Sequence, residues 1–567
     1  MKGNFILLLL SVFLTVSLQS QELADGYIQK WKKFYPSKAV RAGFRPSVFH
    51  YENRSIAEIS KWIQFNEQTL TKLSESNPDI DAIDARLLRV QTQSEVDKWK
   101  TLAIHNNNLN IYTKLISRAI PIITKAEYLL ASEKSNLICK RYLSIEKLCL
   151  AGKENLKKIT KNDLKSGIED LSKILENLNT KSDTTFTSTI CADTKNNRLK
   201  AISSIKSFID FIRTVQISAE TNTSILGQKE YNRQLSLYTD SELNSKKLAA
   251  MALNEIETVK SIMSKISKQY IYETYPDKAL SINDSMLIDM ALKDMEKDAP
   301  LNGTEYLQFW QGLADDAVDF ITKNNIATLP KNQTLKIQTA PESAGPAARI
   351  GWVASAPPFE PNPITTLNLP SIPETLPKQE QIDFWASFNK PFNRMIVIHE
   401  LFPGHYMQLK ISRETPHPIR LLFPYGIYIE GWATFTEKVL LDAGWQKGEH
   451  LTLLAHLRKR LENANRAYTS VQVHCNGWSK EQVMKFSAET SLLAPQFAKS
   501  LWGRIKNSPM QLTSYYLGGA QFAELLKSEK ERLGNKFELR FFMDTIMKAG
   551  PIPINEFYGI FKNSIPQ

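Results

Sequence analysis

From about Ser55 to Asn325, apolar residues recur at three- and four-residue intervals with few Gly or Pro between them, the signature of amphipathic helices. The segment ISKWIQFNEQTLTKL shows the pattern plainly, and Ser55-Ile56-Ala57-Glu58 before it has the form of a capping box. The same periodicity predicts helices over roughly 80–93, 97–131, 152–178, 195–219, 242–270 and 303–324. None of them carries a catalytic cluster, so they read as a scaffold of helix packed on helix. Between Leu329 and Pro377 the pattern changes. Ten prolines from Pro330 to Pro377 cannot all sit in helices, and short β-prone runs, LKIQTA and ARIGWVAS, lie between them. Helical periodicity resumes at about Gln379 and continues to the C-terminus, with Gly534 and Gly550-Pro551 as stops. The expected organisation is a segment 1–20, a helical region 21–328, a proline-rich connector 329–378 with short strands, and a helical region 379–567.

The segment 1–20 changes the picture because it is apolar without being amphipathic. One Lys, an apolar run from Phe5 to about Leu18 and small residues before Gln21 follow the order of a secretory signal peptide. The run is short for a membrane span, the alternative reading. The absence of Cys near the expected cut argues against a lipid-anchored start. The mature chain is therefore expected in the periplasm or secreted, without stable membrane insertion. A composition of 42% hydrophobic and 23% charged residues excludes disorder as the default. Four Cys (Cys139, Cys149, Cys191, Cys475) are too few for a disulfide scaffold and lack CxxC spacing. Cys139 and Cys149 are the nearest pair, with free buried thiols the alternative. The net charge is +12, but the Lys residues alternate with acidic and apolar positions, as on solvated helix faces; nucleic-acid binding is not expected.

Candidate chemistry concentrates in MIVIHELFPGHYMQL, where His399 and Glu400 are followed by His405. Zinc peptidases commonly use HExxH, which puts two His on one helical face with the Glu as general base. Here the His residues are six apart, and on a regular helix they would point roughly 120° away from each other. Pro403 and Gly404 are the residue types that permit a local distortion of the helix, Pro for want of an N–H and Gly for its freedom of dihedral. The alternative is an exposed polar helix end. A catalytic zinc site needs a third protein ligand and one open position. EGWATFTE supplies Glu430 and Glu437, seven apart and so on one helical face, with the small Gly431 and Ala433 suited to close approach to the His helix. Glu430 is the expected third ligand and Glu437 the carboxylate that orients a ligand imidazole; a solvated pair is the alternative. His474, ahead of the capping box Ser479–Gln482, and Tyr515, before Gly518-Gly519, are candidate donors to a developing oxyanion. Each is equally a half-buried side chain with a satisfied tip.

Together these segments resemble the bacterial "domain of unknown function 885" family. The motif HExxPGHxxQ is matched by His399, Glu400, Pro403, Gly404, His405 and Gln408. EGWAxYxE is matched by Glu430, Gly431, Trp432, Ala433 and Glu437, with Phe435 in place of Tyr. RYxxxPGQAxxYxxG is matched at Arg504, Pro509, Gln511, Tyr515 and Gly518, but not at Ile505 or Met510. The stretch GNKFELRFFMDTIMKAGPIPINEF is similar to the family's ending. A block resembling RxxxDxGxH keeps Arg466 and His474 but has Ser470 and Gln472 at the Asp and Gly positions. The resemblance is good over about 330–567 and general before that.

The family is in turn similar to helical gluzincin-type peptidases of the carboxypeptidase Taq and thimet oligopeptidase kind. That implies a mainly α, multi-helix zincin-like fold with a central cleft and a small β element. It also implies one zinc ion held by His399, His405 and Glu430, Glu400 as base, and Arg504 and Gln511 binding a peptide substrate. The expected activity is that of an exported zinc metallopeptidase. The Ser470 and Gln472 departures leave a second reading: a catalytically weakened helical protein that binds a peptide or partner around a structural metal.

Overall fold

The computed structural model describes residues 22–74, 81–180, 194–218, 225–239, 241–279, 283–332, 334–493 and 495–564; the expected signal peptide lies outside them. The described chain is mainly α-helical, with a few short strands. Among the described residues no helix is long and apolar enough to cross a membrane. Contacts group the chain into two compact units, Met1–Thr223 with Phe359–Pro361, and Ser224–Pro358 with Asn362–Gln567. The boundary at Thr223 and Ser224 has no proline or glycine cluster to mark it in the sequence.

The first unit packs Ala131–Asn155, Lys161–Thr180 and Thr194–Thr214 around a core that includes Ile145, Leu148, Leu171, Ile205 and Phe208. The single helix predicted over 97–131 does not form. Asp97–Thr101 is π-helical, Ala103 takes φ 43°, Ile104–Asn106 is a 3-10 turn, and the Asn106–Asn108 run and Pro121 confine α-helix between Thr101 and Ala131 to Asn110–Arg118 and Pro121–Thr124. Polar Asn side chains compete for backbone groups, and Pro121 offers no N–H to the preceding turn. Ala131–Asn155 then runs through the gap left before the predicted start at 152. Strands β1 (Lys158–Ile159) and β2 (Gln216–Ile217) pair in parallel. Cys139 is disulfide-bonded, whereas Cys149 and Cys475 are free; the 139–149 pairing is not made. Cys191 lies outside the described residues.

The second unit is built on long helices. α1 (Ser245–Thr274) and α6 (His450–Asn476) bury Ile256, Val259 and Met263 with Leu454, Leu457, Leu461 and Ala464, alternating steps of three and four that keep one stripe on the shared core. α2 (Gly303–Lys323) anchors α3 (Lys390–Glu400): Tyr306 Oη and Trp310 Nε1 both donate to the buried Asn393, at 2.8 and 2.9 Å. Asn389 caps α3 through its side chain, and Pro391 fits the first turn, where the missing N–H costs nothing. α4 (His405–Ser412), α5 (Gly426–Asp442) and α7 (Pro509–Leu533) complete the frame.

The proline-rich stretch carries a three-stranded sheet. Its central strand β5 (Thr365–Leu369) runs parallel to β3 (Leu335–Thr339) and antiparallel to β4 (Trp352–Ala354). β5 is largely buried and β3 and β4 form the edges, so the flanking prolines never interrupt a central ladder.

Candidate metal centre

α3 is buried on nearly every side through Met395, Val397 and Ile398, and its last turn delivers the buried His399 and the partly exposed Glu400. The expected distorted helix is in fact a full break. α3 ends at Glu400, residues 401–404 form a turn with a cis Phe402–Pro403 bond, and α4 restarts at His405. Gly404 allows this because its Cα sits against the end of α3. A Cβ there would lie 2.2 Å from the Ile398 carbonyl oxygen and 2.0 Å from that of His399. Trp432 Nε1 donates to the Pro403 carbonyl at 2.9 Å and fixes the turn on α5. Tyr406 Oη accepts from the Thr334 N–H at 3.0 Å beside β3. Breaking the helix frees His405 from the angle a continuous helix would impose, and its ring meets that of His399 edge-on at 4.8 Å between centroids.

α5 brings Glu430 to the two imidazoles. Glu430 Oε2 lies 3.3 Å from His405 Nε2 and 3.8 Å from His399 Nε2. Its other oxygen accepts from Tyr515 Oη at 2.9 Å and, more weakly, from Gln511 Nε2 at 3.4 Å. The small residues of EGWA serve a different contact from the one expected. Gly431 faces α7, where an added Cβ would lie 2.6 Å from Gly518 Cα, and one on Gly518 would lie 2.4 Å from the Ile427 carbonyl oxygen. Glycine against glycine lets α5 and α7 touch backbone to backbone, which places Gln511 and Tyr515 beside Glu430.

The outer contacts fix the protons. Glu437 is fully buried and accepts from His399 Nδ1 at 2.8 Å and from His456 Nδ1 at 3.0 Å. A carboxylate only accepts, so each Nδ1 carries hydrogen, and in neutral His399 the Nε2 lone pair faces Glu430 and His405. Burial opposes charge on His399, but Glu430, Glu437 and Glu400 outweigh it and raise its pKa to about 10. Burial likewise works against the charged form of Glu437, yet His399 and His456 bring it down to about 2. Against the cost of its burial, Glu430 is held well below the usual carboxylate range by His399 and His405. Three carboxylates thus act on the buried His399 imidazole.

The donor set suits zinc. The ligand atoms of His399, His405 and Glu430 all lie within 4.8 Å of one another. Two donors each about 2.0–2.1 Å from a tetrahedral ion sit roughly 3.3 Å apart, close to the 3.3 and 3.8 Å separations seen here. The site opens on a cavity of about 460 Å³ that Glu400, Tyr515, Lys459, Arg466 and, from β4, Trp352 also line.

Not every residue expected at the site is there. His474 is a correction: it lies in the last turn of α6, before the left-handed Gly477, not in a loop. Its ring is buried against Tyr231, Nδ1 accepts from the Leu226 N–H at 3.1 Å, and Nε2 donates to the Ile505 carbonyl at 3.0 Å. With both nitrogens used it has no donor for a substrate, and it does not line the cavity. Gln511 touches Glu430 and Tyr515, and so contacts a candidate ligand. Arg504 acts on Glu462 and Tyr515 and is not among the lining residues. The departures also lie off the wall: Ser470 is buried and accepts from Tyr231 Oη at 3.2 Å, and Gln472 accepts from Asn476 at 2.8 Å. Sequence reasoning missed His456, whose partner Glu437 is 19 residues away, and Lys459, which reads as part of a solvated charge run. The spacing of Lys459, Glu462 and Arg466 on one helical face was the available signal.

Two solved structures share this fold. One is a provisionally assigned lipoprotein of unknown function from Shewanella oneidensis, 18% identical, with a TM-score of 0.77 over 95% of this chain and 99% of that one. The other is a provisionally assigned lipoprotein from Colwellia psychrerythraea, 17% identical, with a TM-score of 0.69 over 98% and 99%. No curated protein matches the sequence. The bacterial family of unknown function DUF885 matches residues 36–557, so the match takes in the helical N-terminal half as well as the metal-site motifs. With nearly the whole chain matched, the protein belongs to the DUF885 family.

Proposed function

We propose that the protein is an exported zinc-dependent peptidase, similar in its site to helical gluzincins of the carboxypeptidase Taq and thimet oligopeptidase kind. The observation that carries this reading is the convergence of His399, His405 and Glu430, their donor atoms within 4.8 Å of one another, with Glu400 on the wall of the same cavity. His399 Nε2, His405 Nε2 and Glu430 Oε2 would hold one zinc ion. When bound, zinc supplies Lewis-acid polarisation of a carbonyl and acidifies water at the site.

The remaining work falls to the chain. Glu400 takes a proton from the attacking water on its carboxylate and returns it to the nitrogen of the leaving amine. Glu437 keeps the Nδ1 proton of His399 in place, so that its Nε2 stays available as a donor to metal. Tyr515 holds Glu430 and presents its hydroxyl at the cavity wall, where it can donate to oxygen charge developing on the substrate. A peptide is the expected partner, and nucleic acid is not. Export is supported by the signal-like segment 1–20 and by the lipoprotein assignments of the two structural neighbours.

Glu400→Gln tests the roles directly. It should lower peptide turnover by about 10²–10⁴-fold, the usual share of a general base, while the zinc content of the purified protein stays at one ion per chain. Turnover at the wild-type rate in that variant would remove Glu400 from the mechanism.

A further inference from the structure

The cavity beside the candidate metal centre has a second chemical character. α6 presents Lys459, Glu462, Asn463 and Arg466 along one face, and Lys459 and Arg466 both line the cavity. Glu462 binds them together, one oxygen accepting from Arg466 and the other from Lys459 Nζ at 3.1 Å. Arg504 acts on the same carboxylate. Burial would raise the pKa of Glu462, but Arg466, Lys459 and Arg504 together bring it down to about 2, so it is fully ionised. Three cationic side chains thus share one carboxylate, an excess of positive charge local to this face of α6. Lys459 and Arg466 have side chains only 14% and 9% exposed, so water screens that excess poorly. Arg466 is held over the Tyr515 ring, its Cζ 4.9 Å from the centroid, and donates to Asn463 at 3.2 Å, which pre-orders its planar fork. The other carboxylates on the wall are Glu400 and Glu430, and the latter is committed to the two imidazoles.

We infer that Lys459 and Arg466 bind a carboxylate of the substrate, so that the cavity selects peptides presenting one near the bond to be cut. A guanidinium beside an ammonium on the cavity wall is matched to a carboxylate in shape and charge. A volume of about 460 Å³ accommodates a short stretch of peptide and not a folded partner. The carboxylate is either the free C-terminus or an acidic side chain close to the scissile bond. The consequence for cleavage rests on the peptidase reading; the binding does not.

The test therefore uses two readouts. Chelator-treated full-length protein is titrated by calorimetry with a short peptide as free acid, as C-terminal amide, and with an internal Glu exchanged for Gln. The zinc-loaded protein is assayed for cleavage of the same set. The inference expects about tenfold or greater loss of affinity in one arm, with the amide arm assigning the chain end and the Gln arm the side chain. It also expects that loss to shrink towards nothing in Lys459→Gln. Equal binding of all three peptides, or no binding of any, overturns it. Discriminating binding without cleavage would sink the peptidase reading alone; cleavage without discrimination would sink this inference alone. Should Lys459→Gln fail to fold, Arg466→Lys keeps the charge, loses the fork and serves as the second variant.

Discussion

Glu437 does more for the candidate centre than its position in EGWATFTE suggests. It is fully buried, and one carboxylate holds two imidazoles by their Nδ1 atoms, one of them the candidate ligand His399 and the other His456. Replacing it by Gln keeps the volume but removes the charge that fixes both tautomers. Zinc affinity in Glu437→Gln should therefore fall about 10–100-fold, the usual cost of losing an oriented carboxylate behind a ligand imidazole. Competitive chelator titration measures this; unchanged affinity would show that His399 is oriented by packing alone. At this scale the sequence was partly legible. His399, His405, Glu430 and Glu437 stood out through residue type and spacing, and all four come together. Tyr515 reaches the cavity as expected, but through a bond to Glu430 that no local pattern announces. His474 misled because an isolated His next to a helix start looks the same whether its nitrogens face a substrate or the Leu226 and Ile505 backbone.

Among the helices, the decisive devices are glycines that remove side chains where backbones meet. Gly404 lets α4 start against the carbonyls that end α3, and Gly431 and Gly518 let α5 and α7 cross in contact. A methyl group at Gly431 has no room to enter, because what it meets is backbone and not the flexible end of a side chain. Gly431→Ala should cost about 1–3 kcal/mol, the range for overpacking, and push Glu430 away from Tyr515. Chemical denaturation and zinc content report the two effects separately. A variant as stable as the parent, with full zinc, would mean that the crossing adjusts more readily than this geometry allows. Pro403-Gly404 signals a disruption by residue type alone, but not its extent. Spacing shows that a regular helix fails over six residues; only the docking of the turn on Trp432 shows that the helix ends and restarts. The 97–131 segment failed for the opposite reason, since its apolar residues keep helical spacing while Ala103 and the Asn run break the backbone.

For the molecule as a whole, the mainly α character and the strands of the proline-rich stretch follow from hydrophobic periodicity and proline placement. The boundary between the two compact units does not, because Thr223 and Ser224 lie among residues of unremarkable composition. The proposed function rests on the second unit, where His399, Glu400, His405 and Glu430 come together at one cavity. Stepwise addition of zinc to metal-free full-length protein, with peptide cleavage followed in the same samples, tests that assignment most directly. Activity should rise with the first equivalent and level off at one ion per chain, and His405→Ala should show neither tight binding nor cleavage. Tight stoichiometric zinc with no peptide cleaved, or binding unaffected by the loss of His405, would contradict it.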